Sequence, residues 1–133
     1  MKFFDESHET KYNEFCNRMK YLDEYHKAVA YLLALDTVCR EHPTALFDFG
    51  EDVIKPEGLN KDWQTSTSRK TSRLLFNLWN GYCSDGETGK DKDGYEVELP
   101  SQYYAADNIF NCNYAPYYFE AIRIRFPIFF DAD

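Results

Sequence analysis

The sequence predicts a mainly α-helical fold: a single compact domain, residues 1–133, of about four helices with an ordered aromatic connector and a turn-rich loop or short β-hairpin. Apolar residues recur at spacings of three and four in four separate stretches, the signature of helices with one buried face. At 133 residues the chain is long enough for one hydrophobic core without disulfide or metal staples. Its prolines and glycines fall between those stretches or at their ends, where they punctuate rather than interrupt.

The first helix is expected over residues 6–20, with Asp5 or Ser7 as N-cap and Tyr12, Phe15, Cys16 and Met19 on its inner face. The second starts at the capping carboxylate of Asp23. Tyr25, Ala28, Val29, Leu32, Leu33 and Leu35 make it the most apolar helix and the expected centre of the core. A continuation through Val38 and Cys39 ends before Pro43, which disfavours helical geometry in the residue ahead of it.

Residues 43–60 carry Leu46, Phe47, Phe49, Val53 and Ile54 among acids, with Gly50, Pro56 and Gly58 as breaks, and read as the aromatic connector. The third helix runs over residues 66–80, capped by Ser66, Thr67 or Ser68 and stopped by a left-handed Gly81. At 100° per residue, Leu74, Leu75, Leu78, Trp79 and Tyr82 form one arc. Arg69, Arg73, Asn77 and Asn80 form the other.

Residues 83–100 read as a mobile acidic loop leading into a short strand, where Tyr95-Glu96-Val97-Glu98-Leu99 alternates and Asp93-Gly94 makes a turn. The fourth helix starts at Pro116 and runs through Tyr118, Phe119, Ile122 and Phe126 until Pro127 stops it. The tail, residues 128–133, is apolar enough to dock on the body.

Charge and aromatic content narrow the function. The net charge is −8, yet residues 61–82 hold Lys61, Arg69, Lys70 and Arg73 against Asp62 alone, a basic island in an acidic chain. Aromatic residues make 18% of the sequence, more than such a core requires, so some rings are expected at a partner surface. No apolar leader opens the sequence and no run is long enough to span a membrane, so a cytoplasmic protein is expected. Cys16, Cys39, Cys83 and Cys112 show no paired spacing and read as reduced thiols, the first two in the core and the last two more exposed.

The familiar catalytic patterns fail. Gly86-Glu87-Thr88-Gly89-Lys90 lacks both the leading glycine and the trailing hydroxyl residue of a phosphate loop. Aligning Gly94 with the central glycine of a calcium loop puts Pro100 where a bidentate glutamate belongs. His8, His26 and His42 have no ligand spacing and read as structural or surface residues, with His8 extending the inner face of the first helix. No catalytic residue, metal or cofactor is expected.

The basic island supports two readings. Trp63, Arg69, Lys70 and Arg73 around a helix N-terminus offer amides, guanidinium groups and a stacking face to a nucleotide or phosphorylated metabolite. Alternatively the cations satisfy the protein's own acids, with Asp48, Glu51, Asp52 and Glu57 nearest in sequence. Internal pairing is favoured because exposed cations at a helix N-terminus oppose its dipole, by about 0.3 to 1 kcal/mol each.

Several motifs carry a resemblance: Phe3-Phe4-Asp5-Glu6-Ser7-His8, Tyr25-His26-Lys27-Ala28, Leu46-Phe47-Asp48-Phe49, Ile54-Lys55-Pro56-Glu57-Gly58-Leu59 through Trp63-Gln64-Thr65, Ser68-Arg69, Phe76-Asn77-Leu78-Trp79-Asn80-Gly81, and residues 114–122. In these the chain resembles a family of small proteins of unknown function found in Gram-positive bacteria, their prophages and other mobile elements. Residues 84–99 are the part least like that family. The resemblance brings no catalytic residue with it. With the strong negative charge, the mobile-element setting that the resemblance implies points to a non-catalytic accessory or anti-defence protein expected to bind a host protein, a nucleic-acid-handling one among the candidates, through the acidic loop and the Tyr-rich segment: Asp85, Glu87, Asp91, Asp93, Tyr103, Tyr104, Tyr114 and Tyr117. Duplex DNA is not expected as a direct partner, since −8 opposes the phosphate backbone.

Overall fold

The computed structural model describes residues 1–130. Helix α1 (Glu6–Arg18) begins where Asp5 is extended and its carboxylate accepts the His8 amide, which selects Asp5 over Ser7 as the cap. It ends two residues earlier than expected, with Met19 extended. Helix α2 (Glu24–Leu35) is capped by Asp23 in the same way.

Every residue from Ala28 to Leu35 is buried, because three other long helices surround α2. The chain leaves this helix at Asp36, which is extended and buried. Its Oδ1 accepts the amides of Val38 and Cys39 at 2.8 and 3.1 Å and starts a separate 3-10 turn, Cys39–Glu41, in place of the expected continuation. Arg40 reaches back to the carbonyls of Ala34 and Leu35 and satisfies the open end of α2.

Pro43 opens a one-turn helix, α3 (Pro43–Leu46), a position where its missing N–H costs nothing. The connector continues as a small antiparallel ribbon, β1 (Phe47–Asp48) against β2 (Val53–Ile54), followed by a 3-10 turn, Pro56–Asn60. Phe47 is buried and Phe49 packs on the core, so the aromatics do pin this segment.

Helix α4 (Ser66–Asn80) is capped by Thr65, one residue ahead of the expected candidates, in a capping box closed by Ser68. Gly81 takes the left-handed stop at φ 80°. Leu74, Leu75 and Leu78 are buried as the wheel predicts, while Trp79 and Tyr82 lie at the core margin. Phe76, Ser68, Thr71 and Ser72 are buried as well, so α4 is enclosed on more than its apolar arc. The hydroxyls are tolerated there because each is bonded: Ser68 to Gln64, Ser72 to the Ser68 carbonyl, and Thr71 to Asp36.

A second ribbon follows, β3 (Ser84–Lys90) antiparallel to β4 (Glu96–Pro100). The first half of the expected loop is therefore a strand, bulged between Ser84 and Thr88. At the turn the Asp91 carboxylate accepts the amides of Asp93 and Tyr95, and Gly94 is left-handed at φ 84°. After a 3-10 turn, Gln102–Tyr104, come α5 (Ala106–Ile109), α6 (Ala115–Arg125) and α7 (Pro127–Phe130).

Among the described residues, α1, α2, α4 and α6 have 11 to 15 residues and are the four expected helices. The other three are single turns of four residues, too short to show a period in sequence. Pro127 starts α7 as well as ending α6. That turn carries Ile128, Phe129 and Phe130 past the edge of the core, where all three are exposed rather than docked as expected. The remaining tail residues, Asp131, Ala132 and Asp133, lie outside the described residues.

Candidate functional site

The two features that stood apart in sequence meet in space. Arg73, on the polar stripe of α4, donates from Nε and Nη2 to the two carboxylate oxygens of Asp85 on β3, at 3.0 and 3.1 Å. This bidentate fork fits guanidinium and carboxylate geometry. Ser101 donates to the same carboxylate at 2.7 Å, and the Tyr104 hydroxyl donates to the Ser84 carbonyl at 3.0 Å. Internal pairing with an acid is thus found for Arg73, with a partner from the hairpin and not from Asp48, Glu51, Asp52 or Glu57.

The rest of the island is engaged separately. Lys70 donates to the Asn111 carbonyl at 2.8 Å. Trp63 stacks face to face on His42, with centroids 4.1 Å apart. Arg69 makes no side-chain hydrogen bond or ion pair among the described residues. The capping box occupies the amide of Ser68 at the helix start.

Asp85 and Tyr104 therefore serve the fold, while Glu87, Asp91, Asp93 and Tyr103 stand exposed along the hairpin and its base. The Tyr103 ring lies 5.2 Å from the Arg73 guanidinium. A shallow cleft of about 310 Å³ runs beside it, lined by Asp85, Glu87, Leu99 and Ser101 among others. Tyr114 and Tyr117 are elsewhere, packed edge-on against Phe4 at 5.6 and 5.3 Å.

The hairpin also exposes residues outside the expected set. Tyr95, just before β4, alternates with Val97 and Leu99 within it and shares their face; Tyr95 is 72% exposed. Gly89 pairs with Val97, and a side chain at Gly89 would meet Leu99 at 3.1 Å, so Leu99 lies across that glycine. Glu96 and Glu98 point to the opposite face. There the Tyr82 hydroxyl donates to Glu98 at 2.9 Å, and burial, then the Glu98 bond and charge, push Tyr82 up to about 12. The period-two alternation was the signal for this surface.

A second cleft, about 350 Å³, lies at the start of α4 between Phe4, Asp36, Thr67 and Tyr114. Among the described residues no buried side-chain nitrogen or oxygen lacks a hydrogen-bond partner, so no orphaned buried group marks this cleft.

All three histidines have partners within the fold, His42 against Trp63 as described above. His8 is buried, accepts the Phe4 amide at Nδ1 and donates to the Tyr31 carbonyl from Nε2. Burial drives it down to about 4 against the opposing Tyr31 bond. His26 sits between two carboxylates, Nδ1 to Asp23 at 2.6 Å and Nε2 to Asp52 at 2.7 Å. Both ring nitrogens are thus bonded to carboxylates. The Asp23-x-x-His26 spacing is its one trace in sequence. Cys39 is buried, Cys83 exposed, Cys16 and Cys112 intermediate, and none is in a disulfide. Among the described residues no cluster of metal-ligating side chains occurs, and no helix is long and apolar enough to cross a membrane.

Fold and surface together define a small, mainly helical domain with a projecting acidic hairpin. Over residues 1–132 the chain matches the model of a family of unknown function, DUF6075, and it belongs to that family. No curated protein and no solved structure matches it.

Proposed function

We propose that this is a non-catalytic accessory protein, of the kind phages and mobile elements direct against host defence, and that it binds a basic, nucleic-acid-handling host protein through the β3–β4 hairpin. One observation supports the reading above others: the hairpin presents an apolar stripe, Tyr95, Val97 and Leu99, to solvent on a ribbon rich in carboxylates. Apolar side chains in such a row are normally covered, and an acidic surround selects a basic cover. The net charge of −8 adds long-range attraction for such a partner and opposes direct binding to duplex DNA.

The alternative, capture of a nucleotide or phosphorylated metabolite at Trp63, Arg69, Lys70 and Arg73, draws less support. Three of those four side chains already have partners within the chain. The deciding experiment is affinity capture from host lysate with the native protein and with a Tyr95→Ser, Val97→Ser, Leu99→Ser variant. A nucleic-acid-handling protein held by the native form at low salt, released at high salt and absent with the variant is expected. An identical set of proteins on both baits would remove the hairpin from the interaction.

A further inference from the structure

The open edge of β4 carries a more specific inference, which rests on the reading that the partner is a basic protein. The Asp91 amide bonds to the Tyr95 carbonyl at the tip, and the Ser101 amide to the Cys83 carbonyl at the base. Backbone groups in an antiparallel pair alternate in direction, so Tyr95, Val97 and Leu99 turn theirs toward β3. Glu96 and Glu98 turn theirs away. The bulge lies on β3 and leaves this alternation intact along β4.

Beyond the ladder with β3, no backbone hydrogen bond is made by Glu96, Val97, Glu98 or Leu99 among the described residues. All five residues of β4 are exposed. Pro100, which has no N–H, also faces outward and ends the row of donors, the position in a sheet where proline is tolerated. An uncovered edge of this kind is a template for another strand.

We propose that β4 receives an extended segment of the partner as a third strand, and that this segment alternates Lys or Arg with apolar residues. Side chains directly across a strand pair lie within contact distance on the same face. Cations would then stand beside Glu96 and Glu98, and apolar groups beside Tyr95, Val97 and Leu99. Main-chain bonds supply the affinity and the two-faced alternation the selectivity. The short run before Pro100 limits the added strand to a few residues.

The test uses the full-length ¹⁵N-labelled protein and two blocked synthetic peptides of sequence Lys-Val-Lys-Ile-Lys-Val, one unmodified and one with alternate backbone nitrogens methylated on the bonding edge. The unmodified peptide is expected to shift the amides of Glu96 and Glu98 and slow their exchange, with its effect lost at high salt. The methylated peptide is expected to bind at least about tenfold more weakly, from the loss of main-chain bonds worth about 1 kcal/mol each. If both peptides bind the hairpin equally, without slowing those amides, strand addition is overturned while the acidic surface reading stands. Binding of neither peptide also overturns strand addition, and lysate capture then decides the broader reading by itself.

Discussion

Arg73 on α4 and Asp85 on β3 form the joint between the basic and acidic parts of this protein, through two hydrogen bonds on one planar fork. A two-stranded ribbon alone is marginal in water. Here its base is held by that fork, by Ser101 and by Tyr104, while its distal part extends into solvent. The binding surface proposed above thus depends on an ion pair that does not itself belong to it.

Arg73→Ala or Asp85→Ala should destabilise the protein by about 2 kcal/mol, between the values for exposed and fully buried charged pairs. The Arg73 side chain is 11% exposed, which places the pair nearer the buried limit. The double variant should cost less than the sum of the two. Urea unfolding gives the cycle, and hydrogen exchange should show the hairpin amides released before those of α2. Additive single effects would mean the pair is not the anchor.

The Asp36 network links three helices through one hydroxyl. Thr71 donates to Asp36 Oδ2 at 3.0 Å, and with that proton committed the Tyr118 hydroxyl donates to Thr71 at 2.6 Å. Thr71→Val removes the link, depriving the buried Asp36 Oδ2 of its hydroxyl donor and the buried Tyr118 phenol of its Thr71 acceptor, at an expected cost of about 3 kcal/mol. Tyr118→Phe removes only the outer member and should cost about 1 kcal/mol. Equal losses in chemical denaturation would contradict this ordering.

How much of this was legible in the sequence follows from which signals are local. The caps at Asp5 and Asp23, the left-handed Gly81 and the inner faces of the long helices depend on neighbouring residues, and they are read correctly or within two residues. Strand β3 was not, because Ser84-Asp85-Gly86-Glu87-Thr88-Gly89-Lys90 has weak strand propensity and is ordered by pairing with β4. The partners of Arg73 and His26 were missed for the same reason. Asp85 lies 12 residues from Arg73, and Asp52 lies 26 from His26, at separations only the fold brings together. The buried hydroxyls of α4 look like a solvated face in sequence and are core because Asp36 and Gln64 meet them.

Gly58 should be among the least replaceable residues. A Cβ there would run into the Ala45 carbonyl oxygen, a backbone atom that moves only with α3. Gly58→Ala should cost about 3 kcal/mol, the upper end of overpacking. By contrast Gly81→Ala meets nothing within 4 Å and carries only the left-handed backbone penalty, about 1 to 2 kcal/mol. Thermal unfolding of the two variants should rank them in that order.

The two buried histidines should give stability a maximum near pH 6.5. Burial opposes charge on His26, but its bonds to Asp23 and Asp52 and their charges outweigh burial and raise its folded pKa above 6.5. The stabilisation from that proton is complete below pH 6.5 and is lost as pH rises through the folded value. His8 behaves in the opposite sense. Burial lowers it to about 4, so the unfolded chain takes up the proton first and stability falls as pH drops from 6.5 toward 4. Asp23 adds to the acid limb below 3.8: burial would raise its pKa, but the His26 hydrogen bonds and charge lower it, so its contribution disappears as pH falls through the folded value. Urea midpoints across this range should therefore fall on both sides. His26→Gln should flatten the alkaline limb and leave the acid limb from His8 in place. Trp79, edge-on to His26 at 4.9 Å, provides a fluorescence signal for the same titration. An alkaline limb unchanged in His26→Gln would show that the Asp23–His26–Asp52 clamp is not its source.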